Sequence, residues 1–108
     1  MFEPVWMIES LTKSNRKNKK YKIVFYNLDS FNRITSHFGS KDSKTYINGA
    51  TDEERMNYIK RHSKREKDIW FDKTRWYAPA SLSLRLLWGE SKNLNKNIED
   101  YKKHYNIL

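Results

Sequence analysis

Alternating apolar and polar residues mark the clearest extended element of the chain. In KYKIVFYN, Tyr21, Ile23 and Phe25 fall on one side of a strand and Lys22, Val24 and Tyr26 on the other. NLDS follows with turn chemistry, because Asn and Asp side chains bond back to their own backbone. FNRITSHFG then returns as a second strand ending at Gly39, with Ile34, Ser36 and Phe38 opposite Arg33, Thr35 and His37. Together they form an antiparallel hairpin. The run Val5, Trp6, Met7, Ile8 suits either a buried strand or the start of a helix, and we read Val5 to Leu11 as a third strand. Between it and the hairpin, Thr12 to Lys20 has no apolar residue to bury, so it is expected to project into water as a basic loop.

From Thr51 the period changes to that of a helix. Thr51 is placed to cap the N–H of Glu54, whose carboxylate reaches back to the cap, and Asp52, Glu53 and Glu54 sit at the positive end of the helix dipole. Gly49 just before it is expected to take a positive φ. The helix runs to about Glu66, with Arg55, Tyr58, Ile59 and His62 on one stripe and Lys60, Arg61, Lys64 and Arg65 on the outer side. An aromatic loop, IWFDKTRWY, leads to Pro79, which suits a first helical turn because its missing N–H has no intrahelical partner there. The helix PASLSLRLLW is then expected to be the buried one, wet only near Ser81 and Arg85 and stopped by a left-handed cap at Gly89. A last helix, about Leu94 to Tyr105, spaces Leu94, Ile98, Tyr101 and Tyr105 so that its stripe closes the core. The pattern predicts one α+β domain: a small antiparallel hairpin or three-stranded sheet packed against three helices.

Composition sharpens this picture. Only 37% of the 108 residues are hydrophobic while 15% are aromatic, so the core must be few in members and large in pieces. Absence of cysteine excludes a disulfide scaffold and thiol chemistry, and leaves only His and carboxylates as metal ligands. The opening MFEPVWMIESL is broken by Glu3, Pro4 and Glu9 and lacks a basic start, so neither a membrane span nor an export signal is expected. Against 13 Asp and Glu stand 22 Lys and Arg, a net charge of +9 that favours a polyanion: nucleic acid, anionic lipid or an acidic protein face.

The cations fall in clusters. Lys60, Arg61, Lys64 and Arg65 make one, and the loop residues Lys13, Arg16, Lys17, Lys19 and Lys20 another. Lys73 and Arg75 lie among Trp70, Phe71, Trp76 and Tyr77, which either stack on unpaired bases or serve the core. A basic helix face is equally what any half-buried helix needs on its wet side. No helix-turn-helix, zinc-finger or RNA-recognition signature is present, so phosphate contacts without base reading are expected. His62 and Glu66, four apart, have the spacing to share a proton or to hold a metal with His37 or an Asp; the plainer reading is a half-buried His bonded to its neighbour. His37 reads as a strand-end residue and His104 as exposed. No nucleophile elbow or phosphate-cradling glycine loop is present, so neither enzyme activity nor a cofactor is expected.

The series HFG at His37 to Gly39, Thr45 to His62, LSLRLLW at Leu82 to Trp88 and NIEDYKKHY near the end resembles a small basic domain family of unknown function found in large DNA viruses of algae and protists. The resemblance covers roughly Tyr21 to Tyr105 and rests on Asp52, Arg55, Tyr58, Arg61, His62, Leu86, Leu87 and Trp88. It departs at WYAPAS, where that family tends to have a glycine. The likeness implies a viral origin and a place in the virion or the infected cell, and supplies no activity. The expected function is a small viral accessory or virion protein holding DNA or RNA non-specifically, or else an adaptor contacting an acidic structural protein.

Overall fold

The alternation through Tyr21, Ile23 and Phe25 forms the middle of a three-stranded antiparallel sheet in a computed structural model that describes residues 4–108. Met1 to Glu3, the start of the segment read above as no export signal, lie outside the described residues. The strands β1 (Trp6–Lys13), β2 (Lys19–Asn27) and β3 (Arg33–Ser40) follow in chain order, so each connection is a hairpin. Register pairs Phe25 with Ile8 and Ile34, and Ile23 with Leu11 and Ser36. The apolar side chains thus share one face, on which Ile23, Phe25 and Phe38 are fully buried. Each contributes roughly 1.5–3 kcal/mol by leaving water.

The third strand is therefore present, and the segment read as a loop from Thr12 to Lys20 is shorter than expected. Lys13 ends β1, Lys19 and Lys20 begin β2, and only 14–18 turn between them. A bulge at Glu9 shifts the β1 register between Ile8 and Ser10.

Helix α1 (Asp52–Trp70) starts on the expected capping box, with the Glu54 N–H donating to Thr51 Oγ1 at 3.1 Å and the Thr51 N–H to Glu54 Oε1 at 3.0 Å. Gly49 precedes it with φ 116°. The helix passes Glu66 and ends a turn later at Trp70, because the buried stripe continues through Trp70, which is only 3% exposed. The aromatic run is consequently divided: Trp70 and Trp76 turn inward, whereas Phe71 is 74% exposed and Tyr77 is exposed. Trp76 meets Phe25 edge-on at 4.8 Å, and its carbonyl accepts from the Tyr101 hydroxyl at 2.7 Å.

The buried helix begins at Pro79 as foreseen, but only Pro79–Leu82 (α2) is α-helical. Ser83–Leu87 continues as a wider π turn, closed by the Trp88 N–H donating to Ser83 O at 3.1 Å. Ser81, expected on the wet side, is fully buried because this short element packs between β3 and α1 and has no outer face there. Gly89 does not take the expected left-handed conformation. It is needed for close approach: a Cβ there would lie 2.4 Å from the Arg85 carbonyl oxygen. Helix α3 (Leu94–Tyr105) closes the core with Tyr101, and Asn97 beside it is buried with its amide bonded to Leu86 O and Ser91 O. No helix among the described residues is long and apolar enough to cross a membrane.

Candidate nucleic-acid interface

Two clefts flank α1. The first, about 540 Å³, lies between α1 and the far end of the sheet; Lys19 lines it from β2 and Arg61 from α1. The second, about 920 Å³, is walled by α1 and α3 with the π turn beneath, and includes Trp70, Phe71, Lys67 and His104. Trp88 borders both.

The carboxylates of the first cleft are already engaged. Glu54 holds the Thr51 N–H and takes Lys44 Nζ at 3.2 Å, and these bonds, the backbone one foremost, keep its carboxyl below the usual range. Glu66 Oε2 lies 3.2 Å from His62 Nδ1. Lys19 and Arg61, by contrast, have no carboxylate at ion-pair distance among the described residues.

A second group of cations surrounds His37 on the outer face of the sheet. His37 pairs across the ladder with Lys22, and its Nδ1 shares a 2.7 Å hydrogen bond with Ser14 Oγ in the β1–β2 turn. Its pKa is lowered, first by partial desolvation and then by Arg16, Lys22 and Lys19. Lys19 therefore belongs to both places, near His37 and on the wall of the first cleft.

The residues singled out from the sequence are only partly brought together. Lys19 and Arg61 meet at the cleft. Lys60, Lys64 and Arg65 are exposed on α1, and Lys17 is exposed in the turn beside Arg16. Lys20 is held back, donating to the Ser43 carbonyl with Asp42 nearby, and burial lowers its pKa. Lys73 and Arg75 sit apart in the 3₁₀ turn Lys73–Arg75; Lys73 acts on His104, and Arg75 is 3.7 Å from Asp72. Arg75 alone of these candidates has a carboxylate at ion-pair distance among the described residues.

Sequence reading missed Lys22 and His37 as members of a cationic group. Their outward parity was visible, but the pairing that places them side by side was not. His37 and His62 do not converge: one bonds Ser14, the other Glu66. No group of three or more His, Cys, Asp or Glu placed to hold a metal occurs among the described residues. His104 is exposed at the end of α3.

The fold and its surface thus define a small basic α+β protein with two clefts beside its longest helix and many cations that have no carboxylate at ion-pair distance among the described residues. Within that class, residues 9–62, half of the chain, match the model of a family of unknown function (DUF5754), and the chain belongs to that family. No curated protein and no solved structure matches it.

Proposed function

We propose that this is a non-enzymatic accessory or virion protein of a large DNA virus that holds nucleic acid through its backbone phosphates. The observation behind this reading is the position of Lys19, which links the cations around His37 to the cleft lined by Arg61. A polyanion lying across these two places meets Lys22, Arg16, Lys19 and Arg61, none of them neutralised by a carboxylate at ion-pair distance among the described residues. Backbone contact of this kind is independent of sequence and strongly dependent on salt, because each phosphate neutralised releases counterions.

Fluorescence anisotropy with a labelled oligonucleotide tests it. With six to ten phosphate contacts, affinity falls by about 10³ to 10⁵ between about 50 and 200 mM salt. Exchanging Lys19 and Arg61 for Gln removes two contacts and flattens the logarithmic salt slope by about 1.4 for a single strand. Binding that is indifferent to salt overturns the reading.

The second reading, an adaptor that contacts an acidic structural protein, draws support from Phe71, which is 74% exposed on the rim of the second cleft. Exposed aromatics and arginines are the residue types that dominate interface energetics. Under that reading Phe71→Ser abolishes assembly with the partner, and the salt-dependent anisotropy signal is missing.

A further inference from the structure

Three rings from two elements stand in one column at the first cleft. The indole of Trp88 lies 4.3 Å from the ring of Tyr58, with only 5° between their planes, and the imidazole of His62 stacks on Tyr58 at 4.1 Å and 28°. All three border the cleft. Trp88 and Tyr58 are each 8% exposed, so both are committed to the core, whereas the His62 side chain keeps 22% of its surface open. Its bond to Glu66, one helical turn on, fixes the plane of the ring. No further ring stacks on His62 among the described residues.

We infer that this cleft receives one unpaired base of a single-stranded nucleic acid, stacked at the His62 end of the column, while Lys19 and Arg61 hold the phosphates on either side of it. The inference rests on the nucleic-acid reading above and adds a preference for single strands. A flat π-face at the end of a ring column accepts any base, which is how aromatic platforms bind strands with little regard to sequence. The volume of about 540 Å³ falls within the range of about 300–1,000 Å³ usual for small-ligand clefts, enough for one nucleotide unit but not for a duplex. Of the two carboxylates on its walls, Glu54 is ion-paired with Lys44 and Glu66 is hydrogen-bonded to the His62 ring. Asn57 adds an amide able to pair with a base edge. A base inside a duplex cannot reach the ring without being unpaired, and that cost sets the preference.

The test compares a short oligothymidylate, an abasic strand with the same number of phosphates, a duplex of equal length and thymidine monophosphate, all against the wild-type protein. The oligothymidylate is expected to bind about tenfold more tightly than the abasic strand. That advantage persists in His62→Phe, which keeps a ring, and disappears in His62→Ala. His62 ring protons move upfield with the base-bearing strand only. Equal affinity for the two strands overturns the stacking site and leaves the phosphate reading standing. Binding of neither strand overturns both. If the monophosphate binds as tightly as the strand, the cleft is a free-nucleotide pocket and the strand proposal falls.

Discussion

Arg55 on α1 donates through Nε to the carbonyl of Trp88 at 3.0 Å and reaches the Gly89 carbonyl at 2.9 Å. One half-buried guanidinium thereby satisfies two carbonyls at the end of the π turn and fixes Trp88 beneath Tyr58. Charge-assisted bonds of this kind are worth about 1.5–3 kcal/mol. Arg55→Met is expected to destabilise the fold by about that amount, read from the urea midpoint.

Two glycines, Gly89 after the π turn and Gly49 before α1, separate two physical costs. At Gly89 an added Cβ meets backbone oxygen at 2.4 Å, whereas at Gly49 it meets nothing within 4 Å and only φ 116° opposes it. Gly89→Ala should cost about 3 kcal/mol through forced backbone movement, and Gly49→Ala about 1 kcal/mol through strain alone. Thermal denaturation of the two variants in parallel checks the order.

Asn97 lies in the apolar stripe of α3 and is 1% exposed. Its amide donates to Leu86 O and Ser91 O, and its oxygen accepts the Ser91 N–H. Asn97→Leu keeps the volume but strands three backbone groups, so a loss of about 2–3 kcal/mol is expected. Hydrogen exchange at Ser91 should rise in the same variant.

His37 provides a pH test of the cationic face. Its folded pKa lies below the ordinary value near 6.5. In the window beneath 6.5 the unfolded chain therefore binds more protons than the folded one, and stability falls as pH drops through that window. Arg16→Gln should raise the His37 midpoint in a residue-resolved NMR titration. A phosphate backbone passing Arg16 and Lys22 should raise it too, so binding takes up a proton and tightens as pH falls through the same window. A midpoint that does not move on saturation with oligonucleotide places the backbone elsewhere.

Lys60 and Lys64 offer the contrasting case, being exposed and without ion-pair partners among the described residues. Replacing both with Gln should shift stability by no more than about 0.5 kcal/mol. Any change in the salt slope of binding then reports contact, because the fold is unaffected.

What was legible in the chain followed local rules. The parity of Tyr21 to Phe25, the Thr51 cap and the Pro79 start each follow from spacing or local backbone chemistry, and each stands in the structure. What escaped depended on contacts between distant segments. Ser81 faces water only if PASLSLRLLW is a regular helix with an outer face, yet the α turn ends after Leu82 and a π turn follows. Gly89 was assigned to a cap by position, whereas its role is set by the Arg85 carbonyl and Asn97 pressing against it. The candidate cleft shows the same division. Tyr58 and His62 were visible as a pair one helical turn apart, but the third ring comes from Trp88, and no periodicity announces a partner thirty residues away.

Trp88 forms part of the boundary of both clefts. Any occupant that tilts its indole on one side reshapes the chamber on the other, and thermodynamic linkage makes that influence mutual. A guest seated beside Phe71 and a nucleotide beside His62 would therefore report on each other through a single shared side chain.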